Sequence, residues 1–291
     1  MYDLNVTAAR IVEQCDGKTS ISAILRALFD TPDFGGDVQT FISDVLDCLL
    51  ACCERGLLAA YSSQREAAPI VTGTYEYYTP RHLSVELTDG CNLLCRHCYR
   101  NSAPGRSNHL PGDLLIRILR DFSDHGLMTV ELTGGEATTH PEFSDVLQFC
   151  CSTFQKTALL TNGFDISQEV LEIMARWPGR VVAQVDLDGG DAASHDWLRG
   201  EGSYANAVKS IRAFVKHGIP LRVSMNVHNR NLYEIQDVMK HVKTLGAKWF
   251  AFTTILPLGR GRSMGTFTAE EFSYLRDMTD RLSEEYPDFF R

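Results

Sequence analysis

Apolar side chains recur at helical spacing three times within the first sixty residues. Ala8, Ile11, Val12 and Cys15 share one face of a short helix that Asn5 or Thr7 can cap and that Asp16-Gly17 closes. Ser20 caps a second helix, with Ile21, Ile24, Leu25, Leu28 and Phe29 on one side. A turn from Asp30 to Gly36 leads into a third, where Val38, Phe41, Ile42, Val45, Leu49 and Cys52 form the stripe and Gly56 the stop. Leu57 to Tyr61 reads as a short strand, so three helices and a wing suggest a winged-helix-like unit over residues 1–66. Residues 67–80 are polar, aromatic and Pro-containing without a period, which predicts a linker.

From Arg81 the period changes to strands and helices in strict alternation, the mark of parallel βαβ units, so residues 81–291 form a second, α/β domain. Strands are expected near Leu83–Leu87, Met128–Leu132, Thr157–Leu160, Val181–Leu187, Leu221–Val227 and Trp249–Ile255. Helices are expected near Gly112–His125, Glu142–Phe154, Gln168–Trp177, Tyr204–His217, Leu232–Leu245 and Ala269–Tyr286. Six units are too few for a closed eightfold barrel. The pattern predicts a partial, open (β/α)6 barrel with its chemistry at the carboxyl ends of the strands.

Composition narrows the classes. The 291 residues are 44% hydrophobic and 22% charged, the balance of a folded globular chain. With 28 Lys plus Arg against 37 Asp plus Glu, the net charge of -9 repels phosphate backbones and argues against nucleic acid as a partner. No apolar run approaches the roughly 18 residues of a membrane span, and residues 1–10 lack a signal-peptide pattern, so a cytoplasmic location with no membrane contact is expected. In that compartment nine cysteines do not read as a disulfide framework. Cys15, Cys48, Cys52, Cys53, Cys150 and Cys151 lie within helical patterns and read as small core hydrophobes.

The other three cluster. Cys91-Asn-Leu-Leu-Cys95-Arg-His-Cys98 follows the first barrel strand, where a short loop can wrap three thiolates around one soft metal centre. Three ligands on a four-iron cluster would leave one iron open to a substrate or cofactor. The competing reading is a structural zinc site with a fourth ligand such as His97 or His109, of which His97, set between two cysteines, would be strained.

This loop resembles the signature of the radical S-adenosylmethionine (SAM) enzymes, and later strand ends, up to Pro257, repeat that family's pattern. The resemblance implies a partial, TIM-like barrel in which Cys91, Cys95 and Cys98 hold a 4Fe-4S cluster whose open iron is chelated by SAM. Tyr99 is similar to the residue whose backbone approaches the adenine. Gly134, Gly135 and Glu136 after the second strand resemble the GGE motif, with tight backbone beside a ligand and a carboxylate for the SAM amino group. Asp186 and Asp188 fall in the stretch that contacts ribose, Asp186 standing where the family often has Ser. Arg199 could pair with the SAM carboxylate. Leu256 lies in the segment Ile255 to Arg260, whose backbone meets the adenine, and Thr161-Asn162-Gly163 also fits the pattern. The implied mechanism is reductive cleavage of SAM to methionine and a 5′-deoxyadenosyl radical that removes hydrogen from an unreactive carbon. His140, His195 and His228, near strand ends, are assigned no role as bases, since hydrogen abstraction by a radical needs none at its first step.

The N-terminal unit resembles the helical part of the PqqD-like module that binds leader peptides of ribosomally made natural products. Leu4-Asn5, Thr7-Ala8-Ala9, Cys15-Asp16-Gly17 and Arg55-Gly56-Leu57 carry that likeness. The module's three leading strands are expected to be missing, which leaves leader capture by strand addition without its strand. DNA binding is disfavoured, because residues 1–66 hold five Lys plus Arg against ten Asp plus Glu. Maturases of this kind commonly continue into a cysteine-rich domain with auxiliary clusters, whereas only five residues follow Tyr286. The resemblance thus implies a peptide maturase acting on a precursor peptide, with a flavodoxin or ferredoxin as electron donor. Two other readings stand beside it: a radical SAM enzyme of a small metabolite, and a non-catalytic zinc-holding scaffold or regulator.

Overall fold

A computed structural model describes residues 4–29, 37–65 and 79–290 of the chain. It divides into two compact units, Met1–Pro80 and Arg81–Arg291. The turn expected over 30–36 and most of the linker expected over 67–80 lie outside the described residues.

In the first unit, α1 (Val6–Glu13) is capped by Asn5, whose Oδ1 accepts from the Ala8 N–H at 2.8 Å. The Asp16 carboxylate accepts from the N–H groups of Lys18 and Thr19, which makes the turn into α2 (Ile21–Phe29). Asp37 caps α3 (Val38–Glu54). That helix ends as its sequence requires: Gly56, at φ +69°, donates to the Cys53 carbonyl and Leu57 to that of Cys52. Ile11, Ile24, Leu28, Phe41, Val45 and Leu49 close a small core. The short strand expected at Leu57–Tyr61 does not form. The N–H groups of Leu57 and Leu58 are spent on the Cys52 carbonyl that ends α3, so they are not free for a ladder.

The second unit alternates as expected. Its strands are β1 (His82–Glu86), β2 (Thr129–Thr133), β3 (Lys156–Thr161), β4 (Val181–Asp186), β5 (Leu221–Val227) and β6 (Trp249–Thr254). All pair in parallel and in chain order, β1 through β6. The helices are α4 (Gly112–Asp124), α5 (Phe143–Thr153), α6 (Gln168–Ala175), α7 (Ala192–Arg199), α8 (Ser203–Lys216), α9 (Ile235–Thr244) and α10 (Ala269–Glu285). Of these, α7 was not anticipated. Its eight residues carry no apolar stripe longer than one turn, and it forms because Asp191 caps it, accepting from the Ser194 N–H, and because Leu198 is driven inside.

One continuous core runs between sheet and helices. On α8, Ala207, Val208, Ile211 and Phe214 repeat at helical spacing and are buried against β4 and β5. Cys150 and Cys151 on α5 are wholly buried, and burial pushes both thiols up, as suits small core hydrophobes. Because every strand is parallel, all six carboxyl ends reach one rim, and the loops carrying the singled-out residues gather there. Phe214→Ala should cost about 3–5 kcal/mol, from lost burial plus a cavity, read as a lower urea midpoint at unchanged slope.

Candidate functional site

The loop after β1 is held from three sides. From β2, Gly135 donates to the Thr88 carbonyl at 2.7 Å and Glu136 to that of Gly90 at 2.8 Å. Side chains would block this approach: a Cβ on Gly134, at φ +142°, would stand 2.7 Å from the Thr88 oxygen, and one on Gly135 would overlap the Gly90 carbonyl. Beyond β6, Arg260 donates through Nε to the Cys95 carbonyl and through Nη2 to that of Ser102, both at 2.7 Å, while its own N–H reaches Cys98 at 3.0 Å. A Cβ on Gly259 would collide with the carbonyls of Cys98 and Tyr99. From α7, the Leu198 carbonyl accepts the Arg96 N–H at 2.8 Å. The Gly134-Gly135 pair therefore serves first to let two backbones touch. Arg260, quoted in the sequence only as part of the last strand's exit, is a principal clamp.

The acidic residues are placed differently from the sequence expectation. Glu136 is buried, and its carboxylate is already engaged: Oε1 accepts from the hydroxyls of Thr138 and Thr161, each at 2.8 Å, and Oε2 from the Asn162 N–H at 2.8 Å. It ties the end of β2 to the end of β3. Burial pushes its pKa up against those bonds. Arg199, expected to face an external carboxylate, is buried and spends its fork internally. Its Nε donates to Asp188 and its Nη2 to Asp186 at 2.8 Å. Asp188, fully buried, also accepts from the N–H and Nδ2 of Asn226 at 2.7 and 3.2 Å, and Asn231 donates to its carbonyl at 2.8 Å. The Arg199 charge holds Asp188 well below the ordinary carboxylate range, while burial and the Asp188 charge push Asp186 up. Two carboxylates share one guanidinium, so the cluster carries excess negative charge, and half-buried Asp186 is its open end.

His195 packs behind this cluster. Its Nδ1 accepts the Asp188 N–H at 2.9 Å, which requires a neutral ring, and burial lowers its pKa to about 4. The buried Nε2 of His195, Nδ1 of His97 and Nε2 of His228 have no hydrogen-bond partner. His140 is a strut, Nε2 against the Leu110 carbonyl and Nδ1 accepting the Glu142 N–H. Tyr99 and Leu256 are exposed at the rim, the Tyr99 hydroxyl donating to Glu86 at 3.0 Å.

The donor set of the loop fits a 4Fe-4S cluster. Cys95 is buried and Cys91 and Cys98 half-buried. Desolvation pushes the Cys95 thiol up to about 11 and raises Cys91, with the neighbouring thiols adding to both and Arg199 opposing. Such thiols stay protonated at neutral pH unless a metal takes their protons' place, the ordinary coupling of soft-metal binding to deprotonation. Asn162, from the Thr161-Asn162-Gly163 turn, backs the loop with Nδ2 2.8 Å from Asn92 Oδ1 and 3.7 Å from Cys91 Sγ. Among the described residues no three His, Cys, Asp or Glu side chains close on a point the size of one metal ion.

Fold and loop together define the class: an open, parallel (β/α)6 barrel with a three-thiol loop on its catalytic rim. The chain belongs to the radical SAM superfamily, whose family model matches residues 85–242. That superfamily uses a 4Fe-4S cluster and SAM. Residues 1–58 match the model of coenzyme PQQ synthesis protein D (PqqD). The chain is 32% identical to the antilisterial bacteriocin subtilosin biosynthesis protein AlbA of Bacillus subtilis, over 98% of this chain and 64% of that one. It is 29% identical to the sporulation killing factor maturation protein SkfB of the same organism, over 74% of this chain and 52% of that one. It thus spans about half to two-thirds of these relatives. Among solved structures, Streptococcus suis SuiB bound to precursor peptide SuiA shares the fold at a TM-score of 0.71 and 17% identity, covering 99% of this chain and 66% of that one. No helix among the described residues is long and apolar enough to cross a membrane.

Gly135→Ala should force the β2 loop off the Gly90 carbonyl and cost about 1–3 kcal/mol, with iron content after anaerobic reconstitution falling in parallel; a variant with wild-type melting and iron would refute the backbone seam. His195 ionises near pH 6.5 when unfolded but near 4 when folded, so its stability contribution is complete above 6.5 and is lost as pH falls towards 4. Urea unfolding at pH 7 and pH 5 should show a loss of about 2 kcal/mol from this group, absent in His195→Gln.

Proposed function

We propose that this chain is a radical SAM peptide maturase that modifies a side chain, by crosslinking or another radical step, of a ribosomally made precursor. The observation that carries the reading is the union of a PqqD-like unit and a radical SAM barrel in one chain, similar across nearly its whole length to a bacteriocin biosynthesis protein. A PqqD-like unit has no evident use for a small metabolite, which favours a peptide. A linker near residues 67–80 joins the two domains on this reading.

When bound, the cluster and SAM supply a one-electron reductive cleavage that yields a radical able to take hydrogen from an unactivated C–H bond. Cys91, Cys95 and Cys98 would hold the cluster, releasing their thiol protons as they do so. Arg260, Gly134, Gly135 and the α7 carbonyl keep that loop from moving. Tyr99, Asp186 and Leu256 stand on the rim where SAM would lie, Asp186 offering its carboxylate to ribose hydroxyls. Arg199 and Asp188 act from beneath, fixing the Asp186 carboxylate rather than gripping SAM directly. Glu136 likewise ties the ends of β2 and β3 together, and its carboxylate keeps acceptor capacity beyond those bonds for the amino group. An acidic electron carrier such as a flavodoxin or ferredoxin delivers the electron, and thiols of this number suit the reducing cytoplasm.

Cys98→Ala should abolish 5′-deoxyadenosine formation while leaving circular dichroism and melting near wild type, because the loop lies outside the main core. Wild-type turnover by that variant would refute the assignment. Mass spectrometry should show 5′-deoxyadenosine rising several-fold when a precursor peptide encoded beside this chain is added. Indifference to every such peptide would point to a metabolite, and one zinc with no labile sulfide in the purified protein would defeat both enzyme readings.

A further inference from the structure

Beside the cysteine loop lies a cavity of about 490 Å³ that no role assigned above explains. Arg96 of the loop, Trp197 of α7, Arg230 from the loop after β5, and Arg260 and Met264 beyond β6 line it. Three of its walls are arginines and none is Asp or Glu, in a chain whose net charge is -9. A concentration of unbalanced guanidinium groups in a concave site is stable only if solvent or an anion faces them.

The indole of Trp197 organises the charges. The guanidinium carbon of Arg230 stands 4.2 Å from the ring centroid and that of Arg96 4.9 Å. His228 packs on the same ring, at 5.3 Å between centroids, and holds it in place. Contact with a ring face orients a guanidinium without consuming its N–H groups. Arg96 spends only Nε, on the Trp197 carbonyl at 2.7 Å, and so keeps both terminal nitrogens. Arg230 has no ion pair or side-chain hydrogen bond among the described residues, although it is exposed and within reach of solvent. Arg260, by contrast, has two of its three nitrogens fixed on carbonyls and contributes mainly field.

We propose that this cavity is a carboxylate-binding subsite that takes an acidic side chain of the peptide substrate, with Arg230 and Arg96 as the binding pair. The inference rests on the peptide-maturase reading for the identity of the ligand, and on the cavity alone for its chemistry. Two forks held on one ring suit the planar, two-oxygen geometry of a carboxylate. Trp197 and Met264 give the same cavity an apolar wall, which suits an acidic residue followed by an apolar one. The volume fits one or two residues. Of the residues set against SAM, Tyr99, Glu136, Asp186, Asp188, Arg199 and Leu256 are absent from the lining, and Arg260, the end of the segment whose backbone the resemblance sets against the adenine, enters it through its side chain. Because Arg96 sits between two cluster cysteines and Arg260 is bonded to Cys95, an acid bound here would anchor the peptide within a few residues of the reacting centre.

The test uses the anaerobically reconstituted full chain and two probes, acetyl-Leu-Glu-Leu-amide and its Gln counterpart, titrated calorimetrically at low and moderate salt. The Glu probe should bind at least tenfold tighter than the Gln probe, with the difference shrinking as salt rises. Arg230→Gln should erase that difference without altering circular dichroism, and Arg230→Lys should restore part of it, since a point charge replaces a fork. Equal binding of the two probes, or an undiminished preference in Arg230→Gln, overturns the proposal. So does competition by SAM, which would make the cavity part of the cofactor site, and so does a result in which only an acidic flavodoxin senses Arg230. The peptide-maturase reading fails by a separate readout: if no precursor stimulates 5′-deoxyadenosine formation, that reading falls while the Glu-over-Gln preference is still measured independently.

Discussion

The barrel rim depends on one close approach of two backbones. The loop leaving β1 must carry three cysteines out of a parallel sheet and still be rigid, although a loop of that length gains little from its own side chains. It is made rigid by bonding to the next strand's exit, where Gly135 and Glu136 donate to Thr88 and Gly90 at 2.7 and 2.8 Å. A Cβ on Gly134 or Gly135 would run into the Thr88 or Gly90 carbonyl and close off that approach. The same device recurs on the far side, where Gly259 lies against the carbonyls of Cys98 and Tyr99. The thiols are thus fixed by main chain on both flanks, with α7 and the Arg260 fork closing the remaining sides.

Beneath that rim the charged groups form a lattice instead of a row of free ligands. Glu136 joins β2 to β3, Asp188 joins β4 to β5 through Asn226, and Arg199 on α7 binds Asp188 and Asp186 at once. Each is buried, and a buried charge is tolerable only when its partners are fixed. That requirement explains why so many neighbouring amides and hydroxyls converge here: Asn162, Asn226 and Asn231, Thr138 and Thr161 supply the donors that water would otherwise give. The consequence for function is preorganisation, since half-buried Asp186 is presented to the rim at a set angle by a guanidinium that cannot swing away. Outside the lattice, the positive cavity around Trp197 has the opposite character, with donors left free. The two regions divide the rim into an interior of mutually bonded charges and a flank with open donors.

Taken residue by residue, the sequence determined a great deal about this protein: six strands and the helices around them other than α7, the caps at Asn5 and Ser20, the stop at Gly56, and the three-cysteine run on the loop after the first strand. Those features are local, because period, capping chemistry and ligand spacing are all expressed within a few residues. What only the tertiary structure decided is which polar groups meet across the strand ends. Arg199 could not be seen to face Asp186 and Asp188, Arg260 to clamp Cys95 from 165 positions away, or Arg96 and Arg230 to share the Trp197 ring. The wing at Leu57–Tyr61 failed for the same reason, its N–H groups being claimed by the helix end. Side-chain partners at a barrel rim come from different βα units, and their pairing is fixed only when the sheet brings those units together.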